Sequence, residues 1–467
     1  MKSGVVLAGL SPHPPIMVPE VGRGEEQNAP GTLRALDTLG KEFASAEYDT
    51  LVVITPHGLV LRDAVSVRGD ETLEGDLGSF GARGVCLTVK SDLELVREIA
   101  AVAKEDKLTT VLLDRRRLDG YLAERRLDHG VMVPLYYLAK HGFSKPVVIV
   151  NIGFLSLFDL YRYGAAIARA AKGLGRRIAV LASGDLSHRL KPDGPAGYNP
   201  KGKVFDETLM GHLRDFSPKD ILGMPEDLVE DAGECGLRPV AMMLGALDDL
   251  KVRSEVLSYE GPWGVGYGIA LLTPEGQAES RVTEILEDRE RRIEEARKNE
   301  SFPVNLARTA VERYVRSGEI VSVPREVPEE FRVPTGVFVS IHKEGMLRGC
   351  IGTTGPTCPT AAHEIIQNAI SAATGDPRFR KVTSEELPLL EYSVDVLSEP
   401  EEVPGEEYLD PKVYGVIVER GGRRGLLLPD LPGIGSVREQ VDIAKRKAGI
   451  GLRERVRLYR FTVKRYH

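Results

Sequence analysis

Three apolar runs each end in a histidine-bearing turn. Residues 4–10 (GVVLAGL) lead into SPHPP and His13, residues 51–55 (LVVIT) into PHG and His57, and residues 177–182 (RIAVLA) into SGDLSH and His188. Runs this apolar read as strands buried on both faces, the pattern of a parallel sheet. In open α/β sheets, ligands bind beyond the carboxyl ends of the strands. Neutral imidazole suits iron, copper, zinc and nickel, so three such histidines point to a metal site. Two histidines and a carboxylate on one face of an ion leave its other positions open for a substrate and O2. His13 and His57 are the first two candidate ligands. For the carboxylate, residues 230–236 (EDAGECG) form an acidic turn with two glycines ahead of a helix. Glu234 is the first choice there and Glu230 the second. Cys235 in the same turn is a softer donor that would favour zinc or copper. His129, in LDHG, also precedes a helix; it or His188 could carry a proton, because imidazole titrates near neutrality. His141, His212 and His467 read as hydrogen-bonded scaffold residues.

The elements that must position these residues alternate. Helical stretches at 32–46, 92–105, 127–140, 161–174 and 236–250 separate the three runs and a fourth at 146–152 (PVVIVNI), and two closing strands follow within 254–272. Residues 65–89 lack a helical period and read as excursion strands and loops near the site. This rhythm predicts an α/β domain over residues 1–275 with a mostly parallel sheet and helices on both faces. Residues 276–300 are strongly charged and read as a solvated linker helix. Residues 301–467 mix helices and strands without the βαβ rhythm, so a smaller α+β domain is expected. It holds a hairpin at 336–351 turning at 343–345 (KEG).

Composition narrows the function classes. The 467 residues exceed one ordinary core, and a net charge of -7 argues against nucleic acid or an anionic membrane as the main partner. No apolar run approaches the roughly 20 residues that span a bilayer, and the N-terminus has no secretory pattern. Four cysteines (Cys86, Cys235, Cys350, Cys358) without CxxC spacing point to the reducing cytosol rather than a disulfide framework.

SPHPP, TPHG, LDHGVMVPL and SGDLSH, in this order, resemble the class III (LigB-type) extradiol ring-cleavage dioxygenases over about residues 1–275. The resemblance implies that His13 and His57 bind Fe(II) together with a glutamate near the end of the domain. It also implies that His129 and His188 serve acid/base roles while a catechol-type aromatic substrate and O2 meet at the iron. The Memo proteins share that fold and carry a cysteine followed by glycine in place of the glutamate; AGECGLRP resembles both patterns. A zinc-binding or adaptor protein of the Memo kind is therefore the alternative, with a radical SAM protein as partner and a homo-oligomer left open.

In the second domain, LRGCIGT places Arg348 and Cys350 two apart on a strand, hence on one face. A cation beside a thiol favours thiolate, which would make Cys350 a candidate catalytic residue. The competing reading is a small buried hydrophobe. LRGCIGT, NAISAATGDPRF and EYSVDVLSEP resemble the AMMECR family over about residues 303–467. The fusion of the two domains resembles the AmmeMemoRadiSam system protein A family. His363, Glu364 and Asp376 could join Cys350, although helix-surface and turn roles suit each of them.

Overall fold

A computed structural model of the chain describes residues 3–114, 118, 126–343, 345–431 and 434–467. It divides into two compact units, residues 1–286 and 287–467.

The first unit opens with β1 (Gly4–Ser11), a short turn α1 (Pro19–Gly22), α2 (Pro30–Ser45) and β2 (Thr50–Thr55). The excursion strands β3 (Val65–Arg68), β4 (Thr72–Leu77) and β5 (Ala82–Lys90) follow. Next come α3 (Leu93–Glu105), β6 (Thr110–Leu113), α4 (His129–Lys140), β7 (Val147–Asn151), α5 (Leu157–Gly173) and β8 (Arg177–Ser183). Four helices, α6 (Pro200–Arg214), α7 (Pro218–Leu222), α8 (Glu226–Ala232) and α9 (Leu237–Ala246), precede the closing β9 (Leu250–Glu260) and β10 (Tyr267–Gln277).

One eight-stranded sheet, ordered β6-β3-β7-β2-β8-β1-β10-β9, runs through the unit. Its centre, β7-β2-β8-β1, is parallel, whereas β10 and β9 close the edge antiparallel. Every residue of β2 is buried, as a central strand covered on both faces requires. The register pairs Ser11 with Ser183 and Ile54 with Ala182, so the carboxyl ends of β1, β2 and β8 stop at one level. The turns that follow them therefore share one edge. Helices α3, α5, α6 and α9 cover one face through Ile99, Ile167, Phe205 and Met242, and α2 and α4 cover the other through Leu36, Phe43 and Leu135.

The charged segment forms α10 (Val282–Lys298), and the division between the units falls inside it. It is less solvated than its composition suggests, because Ile285, Asp288 and Ile293 are buried.

The second unit begins with α11 (Phe302–Ser317), β11 (Val337–Lys343), β12 (Met346–Gly352), α12 (Ala361–Thr374) and β13 (Leu390–Leu397). It ends with β14 (Glu401–Val403), β15 (Gly415–Arg420), β16 (Arg423–Leu427), α13 (Val437–Lys447), β17 (Arg457–Phe461) and β18 (Val463–Tyr466). Two four-stranded antiparallel sheets result, β12-β11-β13-β18 and β14-β17-β15-β16. Alternation decides the faces of the first: Val337, Val339, Ile341 and Val394 pack with Ala307, Ala310, Ile365 and Ala369 of α11 and α12. The opposite face carries Ser340 and Cys350, directly opposed across the β11–β12 hairpin. Glu344, the middle residue of the turn expected from the sequence at 343–345, lies outside the described residues, as do Met1 and Lys2.

Candidate metal centre

His13 follows β1 and is almost fully buried. Its Nδ1 meets Ser183 Oγ at 2.9 Å, which turns Nε2 toward His57. His57, just past β2, brings its own Nε2 to 2.9 Å from that of His13. Cys235 Sγ lies 3.6 Å from His13 Nε2. These three donor atoms all fall within 4.8 Å of one another. Donors on one ion, with bonds of about 2.0–2.3 Å, can lie up to roughly 4.6 Å apart, and the distances from His13 Nε2 to His57 Nε2 and to Cys235 Sγ, 2.9 and 3.6 Å, fall inside that reach.

Backbone contact explains how a residue so distant in sequence arrives there. A Cβ on Gly184 would stand 2.3 Å from Gly236 Cα, so the turn after β8 and the turn before α9 cross with no side chain between them. Cys235, one residue away, is delivered over the strand end. Its sulfur accepts the Asp185 N–H at 3.3 Å.

The electrostatics suit a cation. Burial and the neighbouring histidines push His13 well below its ordinary pKa, and partial desolvation together with His129 moves the solvent-edged His57 down to about 4. Both imidazoles are thus neutral with lone pairs available, the form that binds metal. Burial, then Asp185 and Glu234, push the Cys235 thiol upward. Burial also raises Asp185 to about 7. A divalent ion would reverse both tendencies, since it deprotonates the groups that ligate it.

His129 begins α4 and stacks on His57, with ring centroids 4.3 Å apart and planes 27° apart. Phe80 meets the edge of His129 at 5.4 Å. Burial lowers the pKa of His129. Before it, Asp128 accepts from Thr55 Oγ1 at 2.8 Å, which ties α4 to the end of β2. His188 donates Nδ1–H to the Gly233 carbonyl and stands close enough to interact with both His13 and His57.

Glu234, preferred from the sequence as the carboxylate ligand, is held elsewhere: its Oε2 accepts the Leu237 N–H at 2.6 Å at the start of α9. Glu230 is exposed on α8. The structure thus brings together His13, His57 and Cys235, places His129 and His188 beside them, and leaves Glu234 and Glu230 out of the set. Asp185 and Ser183 escaped the sequence reading, although both stand in the SGDLSH motif that supplied His188.

In the second unit Cys350 is half-buried. Ser340 Oγ donates to its sulfur at 3.3 Å, and Asp376 accepts its backbone N–H at 2.9 Å. Asp376 also grips Arg378 through Nε at 3.0 Å and Nη2 at 2.7 Å. The expected partner, Arg348, is committed instead to Glu386 at 2.9 and 3.0 Å. The cations that interact with Cys350 are Arg378 and Arg465. Glu364 is buried and latches the loop before α12 through Thr353, Thr357 and Cys358, while exposed His363 meets the N-cap Thr360.

A family model described as the catalytic LigB subunit of aromatic ring-opening dioxygenase matches residues 7–270, and one described as AMMECR1 matches residues 304–466. A protein of Clostridium acetobutylicum is 42% identical over 461 residues, 98% of each chain. One of Thermotoga maritima is 53% identical over 166 residues, which are 35% of this chain and 95% of its own. Among solved structures, an uncharacterized protein from Pyrococcus horikoshii is 35% identical, covering 35% of this chain and 88% of its own, with a TM-score of 0.33. Among the described residues, no helix is long and apolar enough to cross a membrane.

Proposed function

Because the chain belongs to the family of catalytic LigB subunits of aromatic ring-opening dioxygenases, with an AMMECR1 domain behind it, we propose that its first unit is a metal-dependent enzyme acting with O2 on a small aromatic diol. The observation that carries this reading is the convergence of His13, His57 and Cys235 within 4.8 Å. Fe(II) held by these donors would supply the redox chemistry. The surrounding residues manage protons and shape. His188 spends its Nδ1–H on the Gly233 carbonyl, which leaves Nε2 as the ring nitrogen free to exchange a proton with a substrate hydroxyl. His129 and Phe80 present ring edges and faces on which a flat substrate can stack. A cavity of about 200 Å³ adjoins His57, with a mainly polar lining of Arg68, Arg126, Asp128 and Asn151 beside the aliphatic Leu59 and Ile149. A cavity of roughly 150 Å³ accommodates benzene, so this one suits a single ring.

A second reading has one observation of its own, the thiol in third place. Sulfur ligands select zinc and copper, and a Memo-like zinc or adaptor protein serving a radical SAM partner would need no oxygen chemistry. Metal analysis of anaerobically purified protein, followed by oxygen uptake with catechols, separates the two. Iron and uptake support the first reading, and zinc without uptake removes it.

A further inference from the structure

The face of the β12-β11-β13-β18 sheet turned away from α11 and α12 gathers a cluster for which the oxygen chemistry of the first unit has no use. Its floor is a row of small polar side chains. Cys350, Ser340 and Ser393 are directly opposed on three neighbouring strands, and Ser340 Oγ reaches the sulfur at 3.3 Å. Two guanidinium groups interact with the thiol, Arg378 from the loop after α12 and Arg465 from β18. Each is gripped by a buried carboxylate. Asp376 and Asp395 are 5% and 6% exposed, whereas the side chains of Arg378 and Arg465 are 48% and 46% exposed. The carboxylates are therefore anchors and the guanidinium groups face outward. Asp376 takes Arg378 through Nε at 3.0 Å and Nη2 at 2.7 Å, and Asp395 takes Arg465 through Nε at 2.8 Å and Nη2 at 3.1 Å. A fork held along one edge is fixed in orientation, and its Nη1 end is left for something other than that carboxylate. Asp376 Oδ2 also accepts the Cys350 N–H at 2.9 Å, and Arg378 Nη2 donates to the Cys350 carbonyl at 3.2 Å, so thiol and cation are tied together. Arg465 meets a second acid, Asp430 in the turn after β16, which makes Arg378 the less neutralised of the two.

We propose that this face is a reaction site for a small electrophile that carries a carboxylate or phosphate group. The Nη1 ends of Arg378 and Arg465 hold the anion, and the Cys350 thiolate attacks a neighbouring carbon. The thiol proton goes to solvent, and the sulfur's electron pair forms the S–C bond. The bond from that carbon to its leaving group breaks, and the leaving group departs with the pair; no oxidant or reductant enters. Planar guanidinium forks match both carboxylate and phosphate, and a cation beside the sulfur favours the thiolate that attacks. A small packing residue would have no use for two anchored cations. The site needs neither metal nor O2, so it stands or falls separately from the reading of the first unit.

The test uses the full chain and two alkylating probes of similar size, iodoacetate and iodoacetamide, with the rate at each cysteine followed by peptide mass spectrometry. Both lose iodide to the sulfur, but only iodoacetate is an anion. The ratio of the two rates therefore cancels the thiolate fraction and reads recruitment of the anion. Cys350 in the chain unfolded in urea is the reference. Folding is expected to raise the iodoacetate-to-iodoacetamide ratio at Cys350 by about tenfold or more, the worth of one hydrogen bond to a charged group. Arg378→Gln should lower the folded ratio by about tenfold and Arg465→Gln by less, with the ratio at exposed Cys86 unchanged in both. A ratio at Cys350 that folding does not raise, or one that neither substitution lowers, overturns the proposal even if Cys350 reacts fast with iodoacetamide. If the variants do not fold, inorganic phosphate and acetate at equal ionic strength decide on the wild type. Slowing of iodoacetate at Cys350 but not at Cys86 supports the site, and the stronger competitor says which anion it takes; slowing by neither overturns it.

Discussion

Each unit holds a half-buried cysteine among polar groups, and the two cysteines have opposite surroundings. Burial, and after it the charged neighbours Asp185 and Glu234, push the Cys235 thiol upward. Cys350 interacts with the guanidinium groups of Arg378 and Arg465. The charged groups nearest the first sulfur are carboxylates, and those nearest the second are guanidinium groups. The carboxylates repeat the contrast. Burial raises Asp206, near the first site, to about 7, while Arg378 holds Asp376 well below the usual carboxylate range.

The largest effect that could break this contrast is loss of the metal. His13→Ala or His57→Ala should abolish metal binding, measured as metal per chain after dialysis; full occupancy in His57→Ala would refute the ligand assignment. His188→Ala should keep the metal and lower turnover by about 10²–10⁴, the usual contribution of a positioned acid or base. Parallel metal and oxygen-uptake assays would show whether the two effects separate. Gly184→Ala drives a methyl into the Gly236 backbone. It should cost about 1–3 kcal/mol of stability and loosen the metal, whereas the same change at exposed Gly435 should do neither.

A smaller effect sharpens the comparison through pH. The folded pKa of Asp206 lies above its unfolded value of 3.8. Its stabilising contribution is therefore complete below about pH 3.8 and is lost as pH rises through about 7. Asp206→Asn should remove that decline from the thermal unfolding profile between pH 4 and 7. Asp376 is depressed, so its contribution is present above 3.8 and is lost as pH falls through its folded value. Asp376→Asn should flatten only the acid limb, and identical profiles for both variants would dissolve the contrast. The smallest expected effect is kinetic: Cys350 should alkylate faster than Cys86, and Arg378→Gln should slow Cys350 a few-fold while leaving Cys86 alone. Equal, slow labelling of both would make Cys350 a packing residue.

The strands and their order of appearance were legible because period and apolarity report burial directly, and three loop histidines after buried runs marked the sheet edge. The choice between Glu234 and Cys235, both candidates from the sequence, was not, because residues 234 and 235 differ by one step along a turn. Only the Gly184–Gly236 crossing decides which side chain swings inward, and nothing in the local sequence declares a contact between segments 52 residues apart. Arg348 failed as the thiol's partner for a related reason. Same-face spacing on β12 is real, but Glu386 offers it two oxygens and wins the guanidinium. The closing antiparallel strands β9 and β10 likewise leave no local mark distinguishing them from parallel ones.

The glycine crossing also limits how this pocket can be re-engineered. Residue 235 is anchored at the reach of a side chain two bonds long, and the backbone behind it cannot retreat toward Gly184. Replacing Cys235 with glutamate would overshoot the histidines, so a designer seeking a purely oxygen-and-nitrogen centre must rebuild the loop before changing the side chain.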